Sequence, residues 1–72
     1  MLDAVENYST LDTKIQKMPT HSFYLAYFPS GAGLIIGIKG SNLYQRQIKI
    51  SYFNNNIESR VKNGSSTWSD WN

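Results

Sequence analysis

The sequence predicts a mainly β fold, in which a short N-terminal helix precedes a small antiparallel β meander and three chains assemble as a trimer. Apolar residues follow a helical spacing over the first twenty positions and alternate with period two after residue 21. Turn-forming residues interrupt the alternating part at short intervals. The chain has 72 residues and no cysteine, so association has to supply the stability that disulfides give to other small domains.

We divide the chain into an N-terminal helix or stalk segment, residues 1–20, and a β tip domain, residues 21–72. Ser9 or Thr10 is the predicted helix cap, and Pro19 ends the helix because the residue before a proline disfavours helical geometry. Apolar side chains spaced alternately three and four apart indicate a heptad seam, a possible coiled coil; they are Met1, Ala4, Tyr8, Leu11, Ile15 and Met18. We assign oligomerisation to Leu11, Ile15 and Met18. A frayed leader is the alternative.

The tip domain is predicted to contain five strands, at residues 22–28, 34–39, 43–52, 57–62 and 67–71. A loop at 29–33, an Asn turn at 54–56 and a turn at Asn63 and Gly64 separate them. One face of this sheet is apolar, and no part of the chain is predicted to cover it. Three copies around a threefold axis are the simplest way to bury it.

The composition argues against several functional classes. The net charge is only +2, and no apolar run approaches the ~20 residues that span a bilayer. We therefore expect neither nucleic-acid binding nor membrane insertion, and the acidic start of the chain does not suggest a targeting segment. A basic and aromatic surface for single-stranded nucleic acid is the alternative, formed by Arg46, Lys49, Arg60 and Lys62 with Tyr44 and Tyr52.

Catalytic constellations are equally sparse. His21 is the single histidine, and the sequence has no Gly-x-Ser-x-Gly motif whose serine it could activate. We therefore interpret His21 as a polar residue at the end of a strand. The carboxylates Glu58 and Asp70 are the candidates for a glycosidase pair, but Glu58 alternates with basic residues on a predicted solvated face. The glycines at 31 and 33 lack the following Lys and helix of a phosphate loop. We expect no enzyme activity, no cofactor and no metal.

The segment with the strongest functional signal is Trp68-Ser69-Asp70-Trp71. Flat aromatic rings beside Asn, Ser and Asp groups suit sugars, which have an apolar CH face and polar edges. In a flat strand two Trp side chains three apart point to opposite faces, so one could be core and the other exposed. Trp71 is the expected exposed ring. The alternative is that both rings pack in the core or in an interface between chains.

These residues resemble the ends of bacteriophage tail-fibre and baseplate proteins, in particular the small pyocin-knob-like tip domains. The shared pattern is a Gln-bearing strand with Gln47, a strand with a central Arg60, the turn Asn63-Gly64, and the final Trp68-Ser69-Asp70-Trp71. The segments at 23–28 and 33–38 also resemble the strands that precede this ending, so the likeness covers about fifty residues.

The resemblance implies a homotrimeric tip in the virion tail, made in the host cytoplasm, that contributes to host adhesion by binding bacterial surface polysaccharide. The candidate ligand-binding residues are Trp71, Trp68, Asp70, Arg60 and Tyr52. The chain lacks the long shaft of a complete fibre, so we expect either a fragment or a separately translated product that joins a longer fibre chain. The alternative function is a trimerisation or chaperone-like module without its own ligand.

Overall fold

The computed structural model describes residues 2–29, 31 and 33–72 of the chain. Its elements are β1 (Leu2–Ala4), α1 (Tyr8–Gln16), β2 (Ser22–Tyr27), β3 (Gly33–Ser41), β4 (Tyr44–Ser51) and β5 (Ile57–Asn63). The strands form one sheet in the order β1-β2-β3-β4-β5. β1 is parallel to β2, and the other neighbouring pairs are antiparallel. The mainly β fold is confirmed, but the sheet is mixed rather than a pure antiparallel meander.

Two strand predictions need correction. β1 was not expected, because three residues are too few to show an alternation, and it reaches the sheet through a parallel crossover by way of α1. The predicted fifth strand at 67–71 is not a regular strand. Instead, the C-terminal segment runs beside β5: Ser69 N donates to Val61 O at 2.9 Å, and Asn72 exchanges two backbone hydrogen bonds with Ser59 at 2.9 and 3.0 Å.

The helix forms earlier in the chain than its predicted caps. Asn7 is the N-cap, and its side-chain oxygen accepts a hydrogen bond from Thr10 N at 2.8 Å, which satisfies one of the free amides of the first turn. The helix ends at Gln16 with Lys17 as C-cap, so it stops before Pro19 as expected. The capping prediction for Ser9 or Thr10 is wrong, because both residues lie inside the first turn.

The helix packs on one face of the sheet, where it helps to form the hydrophobic core. Leu11 and Ile15 are only 2% and 1% exposed. They pack with Val5, Tyr24, Ala26 and Ile35, and Tyr8, Met18 and Phe28 border this core. The heptad positions Tyr8, Leu11, Ile15 and Met18 therefore contribute to the core of their own chain rather than to a free seam, and the predicted stalk and tip segments share this core. Ala4 is exposed in β1, so its assignment to the helical seam is wrong. Met1 lies outside the described residues.

We call the helix-covered side of the sheet the closed face, and it is unusually polar. Lys39, Gln45 and Gln47 are buried there at 2%, 5% and 0% exposure. Lys39 Nζ donates to the carbonyl oxygens of Ile15 and Met18, each at 2.7 Å. The carbonyls at a helix C-terminus lack partners within the helix and carry partial negative charge, so the buried ammonium satisfies them.

A glycine lets an aromatic ring cross the closed face. Tyr24 on β2 lies over Gly37 on β3, where a Cβ would overlap the ring. The ring can therefore extend to β4, where its hydroxyl oxygen accepts a hydrogen bond from Gln47 Nε2 at 2.7 Å. This crossing links three strands through one buried side chain.

The other side of the sheet, which we call the open face, is apolar. Register and alternation place three cross-strand rows there: Phe23, Ile38, Arg46 and Val61; Leu25, Ile36, Ile48 and Ser59; Tyr27, Leu34, Ile50 and Ile57. Phe23, Ile38 and Ile57 are 72%, 54% and 66% exposed. No helix or strand in the described part of the chain packs on these rows.

The predicted turns are present where the structure describes them. Asn54 Oδ1 accepts a hydrogen bond from Asn56 N at 2.9 Å, the local bond expected of an Asn turn. Gly64 has φ +77°, the left-handed conformation that glycine adopts without steric cost. Of the predicted loop at 29–33, Ser30 and Ala32 lie outside the described residues.

Candidate functional site

The sequence-predicted site residues are centred on Arg60. Its guanidinium carbon lies 4.7 Å from the Tyr8 ring centroid, 4.4 Å from that of Trp68 and 4.7 Å from that of Trp71. These distances are typical of cation–π contacts, which strengthen when water is excluded. We call Arg60 and the three rings the aromatic–cation cluster. β5 supplies the cation, α1 supplies Tyr8, and the C-terminal segment supplies both indoles.

A hydrogen bond to Gln47 orients the Arg60 guanidinium. Arg60 Nε donates to Gln47 Oε1 at 2.7 Å, and Gln47 Nε2 in turn donates to the Tyr24 hydroxyl oxygen. The Gln47 amide on β4 therefore joins Arg60 on β5 to Tyr24 on β2. Arg60 Nη2 is buried without a hydrogen-bond partner among the described residues. Burial lowers the pKa of Arg60 from its ordinary value, and it raises the pKa of Tyr24 to about 12 because the phenolate would lose its hydration.

Two further cations contact the indoles. Lys49 Nζ lies 4.5 Å from the Trp71 ring centroid and 3.6 Å from Glu58 Oε1 on the neighbouring strand. Lys62 Nζ lies 5.2 Å from the Trp68 ring. The Trp68 indole nitrogen donates to Asp12 Oδ1 on α1 at 3.4 Å. The C-terminal segment is thus fixed to the sheet and to the helix by side chains as well as by its backbone.

Two concave regions adjoin the cluster. The first, which we call the tail groove, has a volume of about 370 Å³ and lies along β5 and the C-terminal segment, at the edge of the open face. Its walls include Arg46, Ser59 and Val61 of that face, together with Arg60, Asp70, Trp71 and Asn72. The second, which we call the helix-end cavity, has a volume of about 340 Å³ and lies beside the first turn of α1. Its walls include Tyr8, Phe28, Lys49, Asn54, Asn56 and Glu58. Both volumes fall at the lower end of the range of small-molecule sites, about 300–1,000 Å³.

The structure brings together most of the predicted ligand-binding residues. Arg60, Asp70 and Trp71 line the tail groove, and Trp68 stacks on Arg60 beside it. Both Trp side chains contact the same guanidinium and are partly buried, because the segment that carries them is not a flat strand. Tyr52 is separate: it lies in the β4–β5 turn, 60% exposed, and belongs to neither concave region.

Sequence reasoning missed two contributors to the site, Tyr8 and Lys49, and placed the predicted residue Arg60 in the wrong surroundings. Glu58, Arg60 and Lys62 were assigned to a solvated face, whereas Arg60 lies beneath aromatic rings on the closed face. Tyr8 was assigned to a heptad seam, and Lys49 only to a general basic set. The useful signal was the register of β4 and β5, which sets Gln47 opposite Arg60 and Lys49 opposite Glu58.

Comparison of the chain with protein-family models, curated proteins and solved structures gives no match. Within residues 2–29, 31 and 33–72, no helix is long and apolar enough to cross a membrane. The same residues contain no group of three or more His, Cys, Asp or Glu side chains arranged to hold a metal ion.

Proposed function

We propose that the chain is the tip domain of a bacteriophage tail fibre, located in the virion tail, and that it contributes to host adhesion by binding bacterial surface glycan without catalysis. The observation that carries this proposal is the tail groove, in which Arg60, Asp70 and Trp71 meet from two separate segments. The exposed guanidinium of Arg46 and the carboxylate of Asp70, which both line this groove, suit hydrogen bonds to sugar hydroxyls, and an indole suits the CH face of a sugar. The likeness of the chain's ending to phage tip domains supports the same function.

A groove this open binds weakly at a single site. We expect a dissociation constant near 1 mM, about −4 kcal/mol. Adhesion at this affinity requires several copies, and multivalent display raises avidity by roughly 10² to 10⁴ without new contacts. The proposed trimer supplies that multiplicity.

The open face supports assembly of the chain with copies of itself. Ten of its twelve register positions are apolar or aromatic, and the two rows through Ile36 and Leu34 contain no charge. With strands about 4.8 Å apart and same-face residues about 6.8 Å apart, the four-strand patch covers on the order of 350 Å². Exposed patches of about 300–600 Å² are the largest on typical monomers and are often functional.

The two uncharged rows suit another copy because identical apolar surfaces need no charge complementarity. We place the contact between chains on these two rows, since Leu11 and Ile15 are already buried within their own chain and Arg46 and Val61 of the third row line the tail groove. The same observation favours the second candidate function, a trimerisation or chaperone-like module that registers a longer fibre chain and has no ligand of its own.

Immobilised bacterial polysaccharides, probed with the labelled protein, separate the two functions. Asp70→Asn is the sharpest variant, because Asp70 is exposed and its carboxylate makes no hydrogen bond or ion pair within the described chain. We expect about tenfold weaker retention on the polysaccharides that bind the parent protein, as for the loss of one charged hydrogen bond.

Asp3→Asn is the matched control, since it removes the same charge from β1 at the opposite edge of the sheet. Its retention should equal that of the parent. If the parent protein assembles but binds none of the polysaccharides, adhesion is wrong and the assembly function replaces it.

A further inference from the structure

The helix-end cavity is separate from the tail groove and has a different chemical character. Tyr8 and Phe28 form an aromatic corner there, with ring centroids 4.8 Å apart and planes inclined by 70°. Amide and hydroxyl groups from the β4–β5 turn complete the wall, among them Asn54 and Asn56. Apolar surface with a few fixed polar groups is the usual composition of a small-molecule site.

The cavity carries no net charge. Lys49 and Glu58 both line it and pair with each other at 3.6 Å across β4 and β5. A ligand carboxylate would meet the Glu58 carboxylate, and a ligand ammonium would meet Lys49, so either charge would disturb the existing pair. The cavity therefore suits a neutral ligand with several hydroxyl groups.

The side-chain amide of Asn54 is held in position before a ligand arrives. Asn54 Oδ1 accepts from Asn56 N at 2.9 Å, and Ser51 N donates to Asn56 O at 3.2 Å, so both ends of the turn are tied. Among the described residues the Asn54 side-chain amide nitrogen has no hydrogen-bond acceptor, so it is available to a ligand as a donor. Rigid placement of donors reduces the entropy lost on binding.

We propose that the helix-end cavity binds one neutral hexopyranose ring, whose hydroxyls bond the Asn54 and Asn56 amides and whose CH face packs on Tyr8 and Phe28. The volume of about 340 Å³ accommodates a single ring rather than a chain. This inference rests on the proposed glycan-binding function and adds a second subsite to it.

The test is an NMR titration of the isotope-labelled full chain with the methyl glycosides of glucose, galactose and mannose, and with methyl glucuronate as the charged comparison. We expect at least one neutral glycoside to shift the side-chain amide signals of Asn54 and Asn56 in a saturable way. The glucuronate should bind several-fold more weakly. Shifts confined to Ser69 and Asn72 in the tail groove, tighter binding of the glucuronate, or no saturable shift would each overturn the inference.

Asn54→Asp is the decisive variant, because it keeps the oxygen that caps the turn and removes the amide donor. We expect its dissociation constant for the neutral glycoside to rise about tenfold. Asn42→Asp, in the β3–β4 turn at the other end of the sheet, adds the same charge and should leave the constant unchanged. Equal constants for Asn54→Asp and the parent would contradict the subsite.

Failure of this subsite is distinguishable from failure of the proposed function. If Asn54→Asp binds polysaccharide as the parent does while Asp70→Asn does not, the cavity inference is wrong and adhesion through the tail groove stands. If neither the parent nor any variant retains polysaccharide, yet a neutral glycoside shifts the cavity amides, adhesion is wrong and the subsite stands.

Discussion

The closed and open faces of this sheet differ in what they hold and in how they are covered. On the closed face a lysine and two glutamines are buried, and the guanidinium of Arg60 lies under three aromatic rings. On the open face Phe23 and Ile57 are 72% and 66% exposed. A small protein usually buries its apolar face and leaves the polar one in water.

The difference teaches that one short helix covers the face that needs specific partners rather than the face with more apolar surface. Buried polar groups on the closed face need hydrogen bonds, since an unsatisfied one costs about 1–3 kcal/mol, and among the described residues Gln45 Oε1 and Arg60 Nη2 lack one. Lys39 is satisfied by the carbonyl oxygen of Ile15 in the last turn of α1 and by that of Met18 just after the helix. The open face needs only apolar contact, which another chain can give.

The largest expected effect comes from placing a charge in the core between helix and sheet. Ile15 is 1% exposed, so Ile15→Asp buries a carboxylate without a partner and also removes packing. We expect a loss of about 4 kcal/mol or more, enough to unfold a chain of this size, measured by circular dichroism during thermal melting. Gln16→Asp, on the exposed side of the same helix, is the control and should melt near the parent temperature.

An Ile15→Asp protein that keeps its melting temperature but no longer forms the oligomer would contradict the packing of α1 on the closed face of its own chain. In that case the helix would form a seam between chains, and its packing on the closed face would be incidental. The heptad spacing alone does not distinguish these outcomes, because residues three and four apart also face a flat sheet.

The open face is tested by placing a charge at its centre. Ile48 lies in the middle row between Ile36 and Ser59. The parent protein should sediment as three 8.2 kDa chains, about 25 kDa, and Ile48→Lys should sediment as a folded single chain. Asn55→Lys adds the same charge at an exposed turn and should keep the parent mass. A parent protein that is already a stable monomer would show that the open face needs no partner.

The strands that the sequence predicted correctly are those long enough to show an alternating pattern. β2 to β5 were found because each contains several alternating residues and a clear turn signal, such as the Asn turn at 54–56. β1 was missed because three residues carry no period, and its partner lies across a helix. A strand as short as β1 can be assigned only when the strand that it pairs with is known.

The candidate site was harder to predict because it depends on register. Trp68, Trp71 and Asp70 stood out by residue type, but alternation could not show that both indoles contact one guanidinium. Alternation also cannot tell which face a helix covers, so Arg60 was assigned to solvent. The sequence pattern does not show that Gln47 on β4 pairs with Arg60 on β5, and this pairing is what places Arg60 on the closed face.

A smaller effect is expected where Tyr24 crosses the closed face. Gly37→Ala puts a methyl group into the Tyr24 ring, and the ring cannot leave without losing its bond to Gln47. We expect about 3 kcal/mol of destabilisation, at the upper end for an overpacked core, measured by chemical denaturation. Adding Tyr24→Ala to Gly37→Ala should recover part of that loss, since the two positions are coupled through the overlap. Purely additive losses would show that the ring does not lie over this glycine.

The smallest expected effect is an alkaline loss of stability that belongs to the closed face alone. The pKa of Tyr24 is raised by burial from 10.0 to about 12, so the unfolded chain ionises this phenol at a lower pH than the folded chain does. Its contribution is therefore fully present below pH 10 and is lost as the pH rises to about 12. A difference of two pKa units corresponds to at most about 2.7 kcal/mol in the free energy of unfolding, and we expect a loss of about 2 kcal/mol. Denaturation at several pH values between 9 and 12 should show a steeper decline for the parent than for Tyr24→Phe, which has no phenol to ionise and keeps the ring. Parallel declines would mean that the Tyr24 hydroxyl is reached by water in the folded chain, and that the closed face is less tightly covered than its contacts with Gln47 and α1 indicate.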